Sequence, residues 1–197
     1  MRGQAMKQVC SQLEVLGEPL SKYRALEFFA RSGDWQTVAY AHKVKTLTAW
    51  EIDPMFEPQL RLNFPSADIT IGDSFMLANK KDFKHAFEFI VIDNPQGIYG
   101  KYCEHFEALN LLPNLMSRRG VVVFNVNRKP FNYSHDLLWQ KRRHDYYKMD
   151  ASNMDVDYLL EYYEKIFSEL LFRSRFSFEV KRNNEYLSYL VFGLERV

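Results

Sequence analysis

The sequence predicts an α/β protein: a mostly parallel, seven-stranded sheet closed by a C-terminal antiparallel hairpin, with residues 1–197 forming one domain. Three observations predict it. Short apolar runs alternate with helix-compatible segments from Arg24 to Val126, which is the pattern of repeated strand–helix–strand units. The run Gly120-Val-Val-Val-Phe-Asn-Val126 is apolar at nearly every residue, as expected of a strand covered on both faces in a parallel sheet. Two final strand-like runs, 176–182 and 186–194, flank Asn183-Asn184, and asparagine tolerates the positive φ of a tight hairpin turn. With 197 residues, 47% hydrophobic and 26% charged, the chain has the size and composition of a single core.

Taken in order, residues 1–23 are expected to add a small helix over one rim. Residues 24–30 read as the first strand, entering a turn at Arg31-Ser-Gly33, with Asp34 as N-cap of a helix to about Val44. The β-branched and apolar run 46–53 is the second strand. Pro54 then opens a helix, since its missing N–H costs nothing in a first turn. That helix should end near residues 63–65. A third strand spans 68–73, with a brief helix over 74–81, and a fourth strand spans 87–93. A loop rich in Pro and Gly covers 94–100, and a helix disturbed at Pro113 covers 102–117. Residues 127–151, polar, aromatic and basic without a sustained period, are an insert after strand five. From Ser152 to Phe172, apolar residues at helical spacing define a long amphipathic helix.

The formal charge of +1 gives no global field toward nucleic acid or membrane, so such a partner would need a local patch. Two separated cysteines, Cys10 and Cys103, indicate no disulfide framework. The first twenty residues lack a signal-type apolar run, and no stretch is long enough to span a bilayer. The expected location is the cytoplasm. Cys103-Glu-His105 is too sparse for zinc, and no metal site is expected. His42 and His85 read as surface residues. The sequence has no phosphate-binding P-loop, no Gly-x-Ser-x-Gly elbow and no dinucleotide Gly-x-Gly-x-x-Gly.

In an open α/β sheet, ligands bind beyond the carboxyl ends of the strands. Glu27 in strand one, Glu51 and Asp53 at the end of strand two, Asp73 after strand three and Asp93 after strand four therefore mark the candidate site. Four strand ends bringing carboxylates to one rim suit a ligand rich in hydroxyls and amines. The order and spacing of Ala25-Leu-Glu27…Gly33, Trp50-Glu-Ile-Asp-Pro54, Ile71-Gly-Asp-Ser74 and Ile92-Asp-Asn-Pro95 resemble the motifs of class I S-adenosylmethionine-dependent methyltransferases, which have a three-layer, Rossmann-like fold.

That resemblance implies S-adenosylmethionine as cofactor. Glu51 would hold the ribose hydroxyls, Asp73 and Ser74 would meet the adenine, and Glu27 and Gly33 would shape the loop against the methionine part. Asp93 and Asn94 would face the methyl group, with Asp93 as the first choice of general base and His105 or His135 a distant second. Pro95 and Tyr99 lie where the substrate would bind, in a loop similar to, but not matching, the Asp/Asn-Pro-Pro-aromatic motif of amino-group methyltransferases. Asp53 is assigned to capping the helix after Pro54. One departure separates this chain from the family: its first loop is normally rich in glycine, whereas Phe28-Phe-Ala-Arg-Ser-Gly33 keeps only Gly33.

The insert carries Arg142 and Arg143 among aromatic residues, a composition suited to phosphate binding and base stacking. Packing of that segment on the core is an equal reading. The sequence thus supports methyl transfer to a nitrogen or oxygen of a small anionic or nucleotide-like substrate. Two alternatives remain. A non-catalytic interaction protein would have Phe29 and Arg31 filling the vacated pocket and Glu51 paired with a cation. A nucleic-acid methyltransferase would use the basic insert.

Overall fold

A computed structural model describes residues 3–93, 105–129, 137–182 and 186–197. Seven strands form one sheet in the order β3-β2-β1-β4-β5-β7-β6. They are β1 (Arg24–Phe28), β2 (Thr46–Glu51), β3 (Asp68–Ile71), β4 (Phe87–Ile92), β5 (Met116–Asn127), β6 (Phe172–Lys181) and β7 (Leu187–Arg196). β1 to β5 run parallel, and β7 inserts antiparallel between β5 and β6. The helices are α1 (Gln4–Val15), α2 (Glu57–Asn63), α3 (Ser74–Leu77), α4 (Phe106–Leu109), α5 (Leu112–Leu115), α6 (Leu137–Tyr147) and α7 (Val156–Glu169).

The period-2 alternation of each strand divides the core into two layers. On one face Leu26, Phe28, Ile90, Ile92, Val122, Phe124, Leu190 and Phe192 pack with α4, α5 and α7. α7 buries Leu159, Tyr163 and Phe167 at a four-residue spacing, each worth about 1.5–3 kcal/mol by area removed from water. On the other face Ala25, Leu47, Phe89, Val91, Val121, Val123 and Val191 pack under Met6, Val9, Cys10 and Leu13 of α1. The N-terminal helix therefore covers a face of the sheet instead of a rim. Burial pushes the Cys10 thiol up to about 11, which makes it a small apolar core group and not a reactive one.

Two further expectations are corrected. No α-helix follows β1: residues 37–39 form a single 3₁₀ turn, and Asp34 accepts from the Ser32 hydroxyl at 2.5 Å instead of capping a helix. Strand five begins at Met116, because Pro113 sits in the first turn of α5 and that helix ends at Leu115. The insert after strand five contains α6, whose hydrophobic pattern is weak because its buried face is built partly from an arginine. Asp53 does cap the turn opened by Pro54, accepting from the Met55 amide at 2.9 Å. The expected Asn183-Asn184 turn, the 94–100 loop, Cys103 and His135 lie outside the described residues. Among the described residues no helix is long and apolar enough to cross a membrane.

Arg143 of α6 is 1% exposed. Its Nη2 donates to the Asn127 carbonyl at 2.7 Å and to the Ala151 carbonyl at 3.3 Å. The guanidinium lies 5.0 Å from the Trp139 ring and 5.4 Å from the Tyr147 ring. It ties the end of β5 to the turn before α7, and so is structural where the sequence suggested a substrate contact. Arg142 pairs with Glu107 and lies 5.5 Å from the Phe106 ring. Arg143→Met should lower unfolding stability by about 1–3 kcal/mol, since it leaves buried carbonyls without a donor. Urea denaturation monitored by circular dichroism measures this.

Candidate functional site

The face covered by α1 changes character toward the carboxyl ends of its strands. Ala25 is followed on the same face by Glu27, Leu47 and Ala49 by Glu51, Val91 by Asp93, and Val121 and Val123 by Asn125. The register sets these ends side by side: Glu27 is opposite Val91, Val91 opposite Val123 and Asn125 opposite Tyr189. β7 runs the other way, so it brings its first residues, Leu187 and Tyr189, to the same rim. Arg182, just past β6, completes the row.

A cavity of about 470 Å³ opens there, lined by Glu27, the loop from Phe29 to Thr37, Asp93, Asn125, Arg182 and Leu187. This is within the range of small-molecule sites. Its polar groups are extensively engaged. Asp93 Oδ1 accepts from Arg182 Nη1 at 2.6 Å, and Oδ2 accepts from the Tyr189 hydroxyl at 2.7 Å. Arg182 also lies 4.9 Å from the Tyr189 ring. Burial works to lower the Arg182 pKa, but Asp93 beside it carries the net shift upward. Burial, reinforced by the negative charge of Asp93, pushes the Tyr189 hydroxyl well above its ordinary value.

Glu27 is 2% exposed and accepts from the Tyr40 hydroxyl. Burial first, and Asp93 second, raise its pKa well above the usual carboxylate range, although a hydrogen bond with Thr37 opposes this. Glu51 Oε2 accepts from the Arg31 amide at 2.6 Å, and Oε1 accepts from the Asp53 amide at 2.8 Å. It therefore grips the loop after β1, and it stands behind the cavity wall instead of lining it.

That loop has an alternating backbone. Phe29, Arg31 and Gly33 have φ of 57°, 50° and 68°. Left-handed backbone is readily available to glycine and costs other residues about 1–2 kcal/mol each. The chain thus follows a path suited to glycine at three alternate positions, with glycine at only one. Gly33 cannot be replaced for a second reason: a Cβ there would lie 2.2 Å from Phe64 Cε2 and 3.0 Å from Leu60 Cδ1 of α2. Phe29 packs against Phe28 and, at 6.4 Å between ring centres, Phe75. Arg31 lies 5.1 Å from the Phe56 ring.

Of the residues expected from sequence, Glu27, Gly33 and Asp93 meet at the cavity. Asp73 is exposed and caps α3, accepting from the Phe75 amide at 2.8 Å, and Ser74 is buried beneath it. Both stand off the cavity, at the end of β3. Asn94, Pro95 and Tyr99 lie outside the described residues. His105 is not available as a base: it is fully buried among Phe106, Phe124 and Tyr163, and burial, with the nearby Arg143 charge, lowers its pKa to about 3. Sequence reasoning missed Asn125, Gln36, Tyr189 and Arg182. Asn125 was detectable, since it interrupts a valine-rich strand on the same face as Val121 and Val123.

Comparison with known proteins fixes the fold class. The chain matches N-methyltransferase NodS from Bradyrhizobium japonicum with a TM-score of 0.58 at 14% identity, covering 98% of this chain and 96% of that one. It matches yhhF from Escherichia coli, whose assignment as a methyltransferase is provisional, with a TM-score of 0.57 at 12% identity over 98% and 86% of the two chains. SMU.776, another provisionally assigned methyltransferase, in complex with S-adenosylhomocysteine, matches with a TM-score of 0.61 at 14% identity, over 95% of this chain and 49% of that one. The fold is that of the class I methyltransferases. No family model and no curated protein sequence matches the chain.

Glu27 gives a test of this electrostatic picture. Its folded-state pKa lies above its unfolded value, so the stability its carboxyl contributes is present below the unfolded pKa and lost as pH rises through the folded one. Glu27→Gln cannot ionise. Its melting temperature relative to the parent should therefore rise as pH goes from about 5 to about 8. A difference independent of pH would show that Glu27 is not held in a desolvated site.

Proposed function

We propose that this chain is an S-adenosylmethionine-dependent methyltransferase acting on a nitrogen or oxygen of a small substrate. One observation carries the reading. The loop after β1 adopts left-handed backbone at three alternate residues and borders a cavity lined by polar residues from the ends of three neighbouring strands, Glu27, Asp93 and Asn125, and by Arg182. In this fold, that is the position where a ligand meets the sheet.

The residues present fit the cofactor. Glu27 offers a buried carboxyl group, raised in pKa, that an ammonium bound beside it would favour in its ionised form, and the loop from Phe29 to Gly33 offers backbone at the cavity wall. Glu51, by holding the Arg31 and Asp53 amides, acts through the loop and fixes where it stands against the cofactor. Asp73, exposed beyond the cavity at the end of β3, is assigned as the acceptor for an adenine amino group on its remaining lone pairs. When bound, S-adenosylmethionine supplies an electrophilic methyl group on a sulfonium.

The work of the chain is then chiefly positioning and exclusion of water. Asp93 is held by Arg182 and Tyr189 on both carboxylate oxygens, so it is assigned to shaping the acceptor side of the cavity and not to removing a proton. Two rival readings are less favoured. Among the described residues of the insert, Arg143 is buried and Arg142 is ion-paired, so neither arginine is presented to nucleic acid. Glu51 takes backbone amides in place of a cation, and the cavity stays open beside Phe29 and Arg31, which disfavours a collapsed, non-catalytic site.

Titration calorimetry with S-adenosylmethionine and S-adenosylhomocysteine should show one saturable site per chain. Glu51→Ala should weaken that binding about tenfold or more, equivalent to at least about 1.4 kcal/mol. A folded parent protein that binds neither compound would remove the proposal.

A further inference from the structure

The cavity carries features beyond the cofactor set, all on the segment where no helix follows β1. Trp35 lines its mouth and is 54% exposed, whereas Trp50 and Trp139 are 0% and 1% exposed. Burial of large aromatic surface is a main source of core stability, and an indole left in solvent beside a cavity forgoes it. Gln36, the next residue, also lines the cavity and is 4% exposed, and its Oε1 is buried with no hydrogen-bond partner among the described residues. A desolvated, unmatched amide oxygen costs about 1–3 kcal/mol unless a ligand completes it. The adjacent backbone gives Gln36 no reason to be there: the Gln36 carbonyl accepts from the Ala39 amide at 2.9 Å, a bond any residue could make.

An exposed ring next to an unsatisfied side-chain amide is suited to a flat heterocycle with hydrogen-bonding edges. The ring stacks on the π-face, which every base possesses. The amide reads donor and acceptor positions on the edge, as glutamine and asparagine do with adenine. The geometry points to Trp35 and Gln36 as the acceptor-recognition pair of this site, taking an unpaired nucleobase, with Trp35 stacking on it and Gln36 bonding its edge. This rests on the methyltransferase reading for the identity of the site, and it adds the class of substrate. The base could belong to a free nucleotide or to a single strand. The nearly neutral chain and the engaged arginines of α6 favour the free nucleotide.

Trp35 is its own reporter, because the other two tryptophans are buried. The experiment titrates the four ribonucleoside monophosphates, and separately a short single-stranded oligoribonucleotide, into the full chain with and without saturating S-adenosylhomocysteine. Tryptophan emission and its quenching by iodide are followed. At least one monophosphate should quench saturably and shield Trp35 from iodide. Gln36→Leu should weaken that binding about tenfold while leaving S-adenosylhomocysteine affinity, measured by calorimetry, unchanged. Binding by the oligonucleotide alone, falling steeply with salt, would assign the base to a strand.

The inference is overturned if no nucleotide or strand alters Trp35 in a protein that binds S-adenosylhomocysteine. It is equally overturned if Gln36→Leu loses S-adenosylhomocysteine in step with the nucleotide, since the pair would then belong to the cofactor. Failure of the parent protein to bind S-adenosylhomocysteine tells against the methyltransferase reading. In that case the nucleotide titration of the free protein still decides what the pair recognises.

Discussion

Two backbone hydrogen bonds to one carboxylate hold the site together. Glu51, at the end of β2, accepts from the amides of Arg31 and Asp53, so one buried side chain fixes both the loop after β1 and the turn after β2. Charge-assisted bonds of this kind are about twice as strong as neutral ones. Together with the bond from the Gly33 amide to the Ala30 carbonyl within the loop, they offset the left-handed backbone at Phe29 and Arg31. Gly33 then locks the far end of the loop against Phe64 and Leu60. Without that clamp, the polar strand ends would have no wall to face and the cavity would have no boundary.

The polar rim itself follows from strand geometry. Each central strand alternates between two packed layers, and on the α1 face the apolar series stops one residue before the carboxyl end. Glu27, Asp93 and Asn125 would each be costly to bury alone. Where they sit side by side, Glu27 takes the Tyr40 hydroxyl and Asp93 takes Arg182 and Tyr189, so the two acids are matched within the fold. The raised pKa of Glu27 is a product of that crowding, since Asp93 adds its charge to the effect of desolvation.

The sheet was legible because its signals are local. Alternation of apolar runs with breakers located all seven strands to within a few residues, and the strand-end acids located the rim. What was not legible depends on partners distant in sequence. Nothing near Arg143 announces that it will be enclosed by Trp139, Tyr147 and two carbonyls, so a basic, aromatic segment read as a binding surface. Asp34 looked like a helix cap, but the Ser32 hydroxyl and the Arg31 amide bond commit the segment to turns before a helix can start. The pairing of Asp93 with Arg182 and Tyr189 joins residues about ninety positions apart. No periodicity reports such a contact.

The reversed direction of β7 has a consequence for biosynthesis. Glu27 and Glu51 leave the ribosome early, but Arg182 and Tyr189, which satisfy Asp93, belong to the last two strands. Synthesis runs from the amino terminus, so the nascent chain holds Asp93 long before Arg182 and Tyr189. Glu27 and Glu51 find Tyr40 and the Arg31 and Asp53 amides early, but until β7 threads between β5 and β6, Asp93 lacks both of its partners and β5 is an open sheet edge. Insertion of that strand closes the edge and matches Asp93 in the same event. A chain stalled before this point would present an unpaired β5 with an unmatched Asp93 beside it.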